Sequence, residues 1–138
     1  MKIEKQVLSR KQMTHLMKLG VDTSDASMAW FMSPKTNTWR IKVKNDFLHE
    51  LLLKLSPERY IPTFTVGDII EKLPKHIDGN RETYRSITCD IPFEEWRVCY
   101  EPKRGAESDW FTSSNILSAL YDCLCWLAEN HRDLMNKT

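Results

Sequence analysis

The chain has 138 residues, 41% of them hydrophobic and 28% charged, with a formal net charge of +1. A chain of this size can bury a core without disulfides or metals, and its composition is that of ordinary soluble globular proteins rather than disordered ones. No apolar run nears the roughly 20 residues of a membrane span, and Met1-Lys2-Ile3-Glu4-Lys5 has no apolar signal-peptide core. The expectation is a cytoplasmic protein with no membrane partner.

Charge is unevenly placed. Residues 1–60 hold 11 Lys/Arg against 6 Asp/Glu, while residues 61–138 hold 9 against 13. The first half therefore carries +5 and the second −4. A basic half can steer an anionic partner.

In chain order, residues 1–8 read as a short tail or edge segment. Ser9 and Gln12 have the spacing of a capping box, and Met13, Leu16, Met17 and Leu19 form the apolar face of a short helix that Gly20 stops. Val21 to Asp25 is a polar turn. Ala26, Met28, Trp30 and Met32 share one face of a strand, and Ser33 to Asn37 is a turn. From Thr38 to Lys44 the alternation puts Trp39, Ile41 and Val43 on one side and Arg40, Lys42 and Lys44 on the other, as in a half-buried antiparallel strand. Asp46 to Leu55 predicts a short helix, which Ser56-Pro57 ends.

Tyr60 to Phe64 is extended. Thr65 caps the next helix with Asp68 at the capping-box position, and Pro74 ends it. Asp78-Gly79-Asn80 is a turn. Thr83 to Ile91 and Glu95 to Glu101 read as two strands separated by Pro92. In the second, Trp96, Val98 and Tyr100 oppose Arg97, Cys99 and Glu101. A charged loop, Pro102 to Trp110, leads to a long amphipathic helix over Ser113 to Asn130, with Ile116, Leu117, Leu120, Tyr121, Leu124, Leu127 and Ala128 along its stripe. Thr112 is a fitting cap, Phe111 and Ile116 have staple spacing, and Asn130 can end the helix in a left-handed conformation.

These elements predict a single α+β domain over residues 1–138. Its two layers are an antiparallel sheet of about four strands and helices on one face. The terminal helix is expected against the tryptophan-bearing side. Trp39 to Val43 echoes Trp96 to Tyr100 at an offset of 57 residues. A duplicated helix–strand–strand unit over 9–44 and 65–101 would explain the echo, and so would two ordinary amphipathic patterns that coincide.

Chemistry-bearing motifs are sparse. Gly20, Gly67, Gly79 and Gly105 are isolated, so no phosphate loop or dinucleotide fingerprint can be drawn. Cys89, Cys99, Cys123 and Cys125 lack zinc-site spacing, and residues two apart on a helix, such as Cys123 and Cys125, diverge by about 200°. Buried reduced thiols, no metal and no cofactor are expected. Cys99 lies between Arg97 and Glu101, where a cation could lower a thiol's pKa, but nothing in the sequence supplies a base. The reading is non-enzymatic. Binding is assigned to the cations Arg40, Lys42 and Lys44, joined by Arg97 if the repeat holds. The partner is an acidic protein or a second copy of this chain, and the alternative is nucleic acid held on that basic sheet face.

Three stretches, Leu19 to Trp30, Pro62 to Pro74 and Ala119 to Asn130, resemble small proteins carried by phages and mobile elements of gut Bacteroidetes-type bacteria. That group has no assigned activity. The resemblance implies an accessory protein that acts through contacts, and it carries over no functional residues.

Overall fold

Local capping fixes where the first helix starts. Ser9 Oγ accepts from the Gln12 N–H at 3.1 Å, and Gln12 Oε1 accepts from the Ser9 N–H at 2.9 Å. The helix, α1 (Arg10–Lys18), ends with the Val21 N–H on the Leu16 carbonyl and the Gly20 N–H on the Met17 carbonyl, both at 3.0 Å. That closing turn requires the left-handed φ of +87° at Gly20, which a side chain would strain.

The computed structural model describes residues 5–77, 83–102 and 110–135. The predicted turn Asp78-Gly79-Asn80 and most of the charged loop after Pro102 lie outside them. The chain divides into two compact units, Met1–Asp68 and Ile69–Thr138.

In the first unit, α1 is followed by β1 (Met28–Met32), β2 (Trp39–Val43), α2 (Asp46–Leu55), a 3-10 turn at Pro57–Arg59 and β3 (Tyr60–Thr63). The strands form an antiparallel sheet in the order β2-β1-β3. Pro62 lacks an N–H and is tolerated because β3 is an edge strand. Trp30 pairs with both Ile41 and Ile61, so these three share a face with Trp39, whereas Phe31 pairs with Arg40 and Tyr60 on the other face. α1 packs on β3. The Leu8 carbonyl ties the entering chain to the sheet, accepting from Trp30 Nε1 at 2.9 Å and from Thr63 Oγ1 at 2.6 Å. Leu8, Met13, Leu16, Ala29 and Phe64 are buried in this unit.

The boundary falls within α3 (Val66–Lys72). Its start is capped as the spacing predicts: Thr65 Oγ1 accepts from the Asp68 N–H at 3.1 Å, and Asp68 Oδ2 accepts from the Thr65 N–H at 3.0 Å. The same oxygen takes the Ser27 N–H and hydroxyl at 3.1 and 2.7 Å. The second unit continues with β4 (Thr83–Asp90), β5 (Glu95–Pro102), β6 (Trp110–Ser113), α4 (Ile116–Asn130) and α5 (Arg132–Met135). Its antiparallel sheet has the order β4-β5-β6, and α4 packs on β5 and β6. Leu117, Leu120, Cys123, Leu124, Leu127 and Ala128 are buried, with Val98 and Tyr100 of the sheet. Trp126 adds ring contacts at 6.5 Å to Tyr100 and 5.9 Å to Phe111.

The α+β class stands, but the sheet differs from expectation. Instead of about four strands in one layer, the described residues form two sheets of three strands each. Trp110 to Ser113 pairs with β5 as a strand, so neither a Thr112 cap nor a staple forms there. Asn115 caps α4, its Oδ1 accepting from the Leu117 N–H at 2.8 Å. Asn130 stays helical, with Nδ2 donating to the Trp126 carbonyl, and His131 ends the helix. The 57-residue offset equates β2, an edge strand, with β5, a central one.

Candidate functional site

The face of α1 opposite Met13 and Leu16 carries Arg10, Lys11, Thr14, His15 and Lys18. Helical spacing makes Arg10, Thr14 and Lys18 one row and Lys11 and His15 the next. These side chains form one wall of a cleft of about 710 Å³ whose floor is Trp30, Trp39 and Ile61. No carboxylate lines it among the described residues. The Arg10 guanidinium lies over the Trp39 ring, 4.4 Å from its centroid. Trp30 is held from behind by its bond to the Leu8 carbonyl, so the floor is pre-set. An aromatic floor beside clustered cations suits a planar, anionic ligand.

On the opposite face of the same sheet, Arg40 and Lys42 are exposed as the alternation predicts, and Lys42 Nζ lies 4.7 Å from the Phe31 ring centroid. Lys44 follows the strand, and its ammonium donates to the Ser24 carbonyl. Arg97 belongs to β5 in the second unit, opposite Thr88 and Thr112. The structure thus brings Arg40 and Lys42 together on one sheet face and places Arg97 on a different sheet.

A second surface feature belongs to α2. Phe47, Leu51 and Leu55 recur every four residues, and they are 76%, 41% and 71% exposed. Val43, just before the helix, is 77% exposed. The other side of α2 turns Leu52 toward Phe31, Lys42 and Tyr60, around a pocket of about 210 Å³. Periodicity showed the apolar residues of α2, but with six of its ten residues apolar it could not say which side faces water.

Cys99 is not an activated thiol. It is buried, and burial above all pushes its pKa up. The Glu101 carboxylate, whose Oε1 is 3.7 Å from Sγ, adds to the rise, and Arg97 opposes it only in part. Glu101 also accepts from the Tyr84 hydroxyl at 3.1 Å. Cys123 is buried as well, and its pKa is pushed up to about 12 chiefly by burial. All four cysteines are unbridged, but burial holds for Cys99 and Cys123 and not for Cys89, which is exposed near the end of β4. A thiol reagent at neutral pH is expected to modify Cys89 in the native chain and to spare Cys99 and Cys123 until denaturant is added. Rapid native labelling of Cys99, read by mass spectrometry, would contradict this burial.

Among the described residues no group of three or more His, Cys, Asp or Glu gathers as metal ligands, and no helix is long and apolar enough to cross a membrane. His76 Nδ1 is 2.6 Å from the Thr83 carbonyl, and the His131 ring lies 5.0 Å from that of Trp126. Comparison with protein-family models, with curated proteins and with solved structures gives no match.

Sequence reasoning passed over the α1 cleft. The signal was there: Arg10 to Lys18 contains two lysines, an arginine and a histidine, and no acid. Such a helix has a basic polar face whichever way it lies. What the chain alone could not show was that this face would meet Trp30 and Trp39.

Proposed function

We propose that the chain is a non-enzymatic interaction module, and that its protein partner is a second copy of itself, met through α2. The supporting observation is the open stripe Phe47–Leu51–Leu55, extended by Val43. Single apolar residues on a surface are ordinary, but three exposed at successive turns of one helix, with a fourth shortly before it, mark a contact face. Charge placement favours self-pairing over an acidic partner. Glu50 and Lys54, both exposed, each precede a stripe residue by one position and so share one flank. A twofold, antiparallel pairing centred on Leu51 sets Phe47 against Leu55 of the second copy and each Glu50 beside the other copy's Lys54. One short helix per copy buries less than the roughly 1,200 Å² of a standard interface, so the dimer is weak and concentration-dependent. A phage or mobile-element accessory protein that acts through contacts accords with this reading.

Light scattering during gel filtration tests it. Mass is expected to rise from monomer toward dimer with loading concentration, and Phe47→Glu, at a solvent-facing position, is expected to return a folded monomer. A monomer at every concentration would remove the self-pairing.

A further inference from the structure

We infer that the cleft between α1 and the first unit's sheet binds single-stranded nucleic acid, with a base stacked on the Trp39 indole and the phosphates carried along Arg10, Lys11 and Lys18. This site is separate from the α2 stripe and from the basic face of Arg40 and Lys42.

Three observations carry it together. The first is the floor. Trp30 and Trp39 are half-buried rather than enclosed, and they line an opening of about 710 Å³, which lies in the range of ligand sites. A tryptophan side chain that served only the core would be covered. These two present ring surface to a cavity, and a nucleobase of any identity has a π-face that can use it.

The second is the wall. Five polar side chains from two successive rows of α1 face the cleft, three of them Arg or Lys, with His15 beside them. Over residues 1–68, 11 Lys/Arg meet 7 Asp/Glu, yet none of the acids lines this opening among the described residues. The local field is therefore more positive than the net charge of the whole chain implies. Arg10 and Lys18 stand two helical turns apart, about 12 Å along the axis. A single mononucleotide phosphate needs one cation. A row of cations along one wall fits a backbone.

The third is the Arg10–Trp39 stack, 4.4 Å from guanidinium to ring centroid. An exposed cation–π contact is a weak one. A base displaces it by stacking on the indole more strongly, and the freed guanidinium gains a phosphate, a charge-assisted and bidentate partner. In the absence of a strand Arg10 keeps the ring covered. An acidic polypeptide would use the cations but has no reason to meet two indoles, which favours nucleic acid.

Binding of a fluorescently labelled oligothymidylate of about ten nucleotides, a length within the usual single-strand site size, is the test. Anisotropy should rise at low salt. The affinity should fall with salt at a log–log slope of about −0.7 for each phosphate neutralised. Lys11→Glu with Lys18→Glu, both at exposed positions, should weaken binding more than tenfold and flatten that slope, while circular dichroism shows the fold retained. Trp39→Ala should weaken binding about tenfold, in line with loss of one base–aromatic stack, and Trp39→Phe should restore most of it. No anisotropy change with the wild-type chain at low salt would overturn the inference. So would affinity unchanged by the charge reversals, equal binding of a duplex of the same length, or displacement of the oligomer by polyglutamate at equal charge. Equally tight binding of thymidine monophosphate would make the cleft a nucleotide pocket and overturn the strand.

Discussion

Leu124→Ala should lower the free energy of unfolding by about 2–5 kcal/mol. Leu124 is fully buried in α4, with Leu120 and Leu127, also at 0% exposure, one turn to either side. α4 rests on two strands of its sheet, so its backbone cannot settle into the space left by three missing carbons. The loss is transfer free energy plus a cavity that stays open. Against the 5–15 kcal/mol or so that holds a typical domain, it is a large fraction. Glu129→Ala, exposed on the same helix, is the control and should change stability by no more than about 0.5 kcal/mol. Urea unfolding followed by circular dichroism measures both. A Leu124→Ala midpoint equal to that of Glu129→Ala would mean that the α4 stripe does not bear on the core.

The elements whose chemistry is local were legible in the sequence. Ser9 with Gln12, Thr65 with Asp68, and Gly20 after Lys18 each act within four residues, and each took the geometry their spacing predicts. The alternation of Trp39 to Val43 likewise put Arg40 and Lys42 in water, but Val43, at the end of the side it assigned to the core, is exposed too. The errors have non-local causes. Trp110 to Ser113 is four residues long, too short for a period-two signal, and it is a strand only because β5 offers it a ladder. With that pairing, Thr112 was no longer available as a cap, and the role passed to Asn115, a residue type better at it. Among the described residues there are six strands where about four were expected, and their assignment to one sheet was wrong as well, because no pattern in a strand names its neighbour. The same limit hid the cleft: the cations of α1 and the indoles of β1 and β2 are separated by 12 or more positions in sequence and become neighbours only through the packing of α1 on β3.

The other large effect is expected at a side chain that no motif marked. Arg85→Met should cost about 2–3 kcal/mol, although it keeps most of the aliphatic stem. Arg85 Nη1 donates to the Ile70 carbonyl at 2.6 Å and to the Leu73 carbonyl at 2.9 Å. These lie at and just past the end of α3, where carbonyls have no partner within the helix and a cation also meets the negative pole of the dipole. Directly across the ladder from Arg85 is Tyr100, whose hydroxyl donates to the Pro74 carbonyl at 2.6 Å. Burial raises the Tyr100 pKa far above the ordinary phenol range, so this donor keeps its proton at any working pH. Two neighbouring residues of β4 and β5 therefore hold one segment, Ile70 to Pro74, by its backbone oxygens. Arg85→Lys should recover only part of the loss, since a single ammonium cannot reproduce the planar guanidinium's donor geometry. Tyr100→Phe should cost about 1–2 kcal/mol by leaving the Pro74 carbonyl without its donor. Because both residues clamp the same segment, the double variant Arg85→Met/Tyr100→Phe should be less destabilised than the two losses added together, as coupled neighbours are. Strict additivity in urea melts would show that the two hydrogen-bonding groups act on independent stretches of chain.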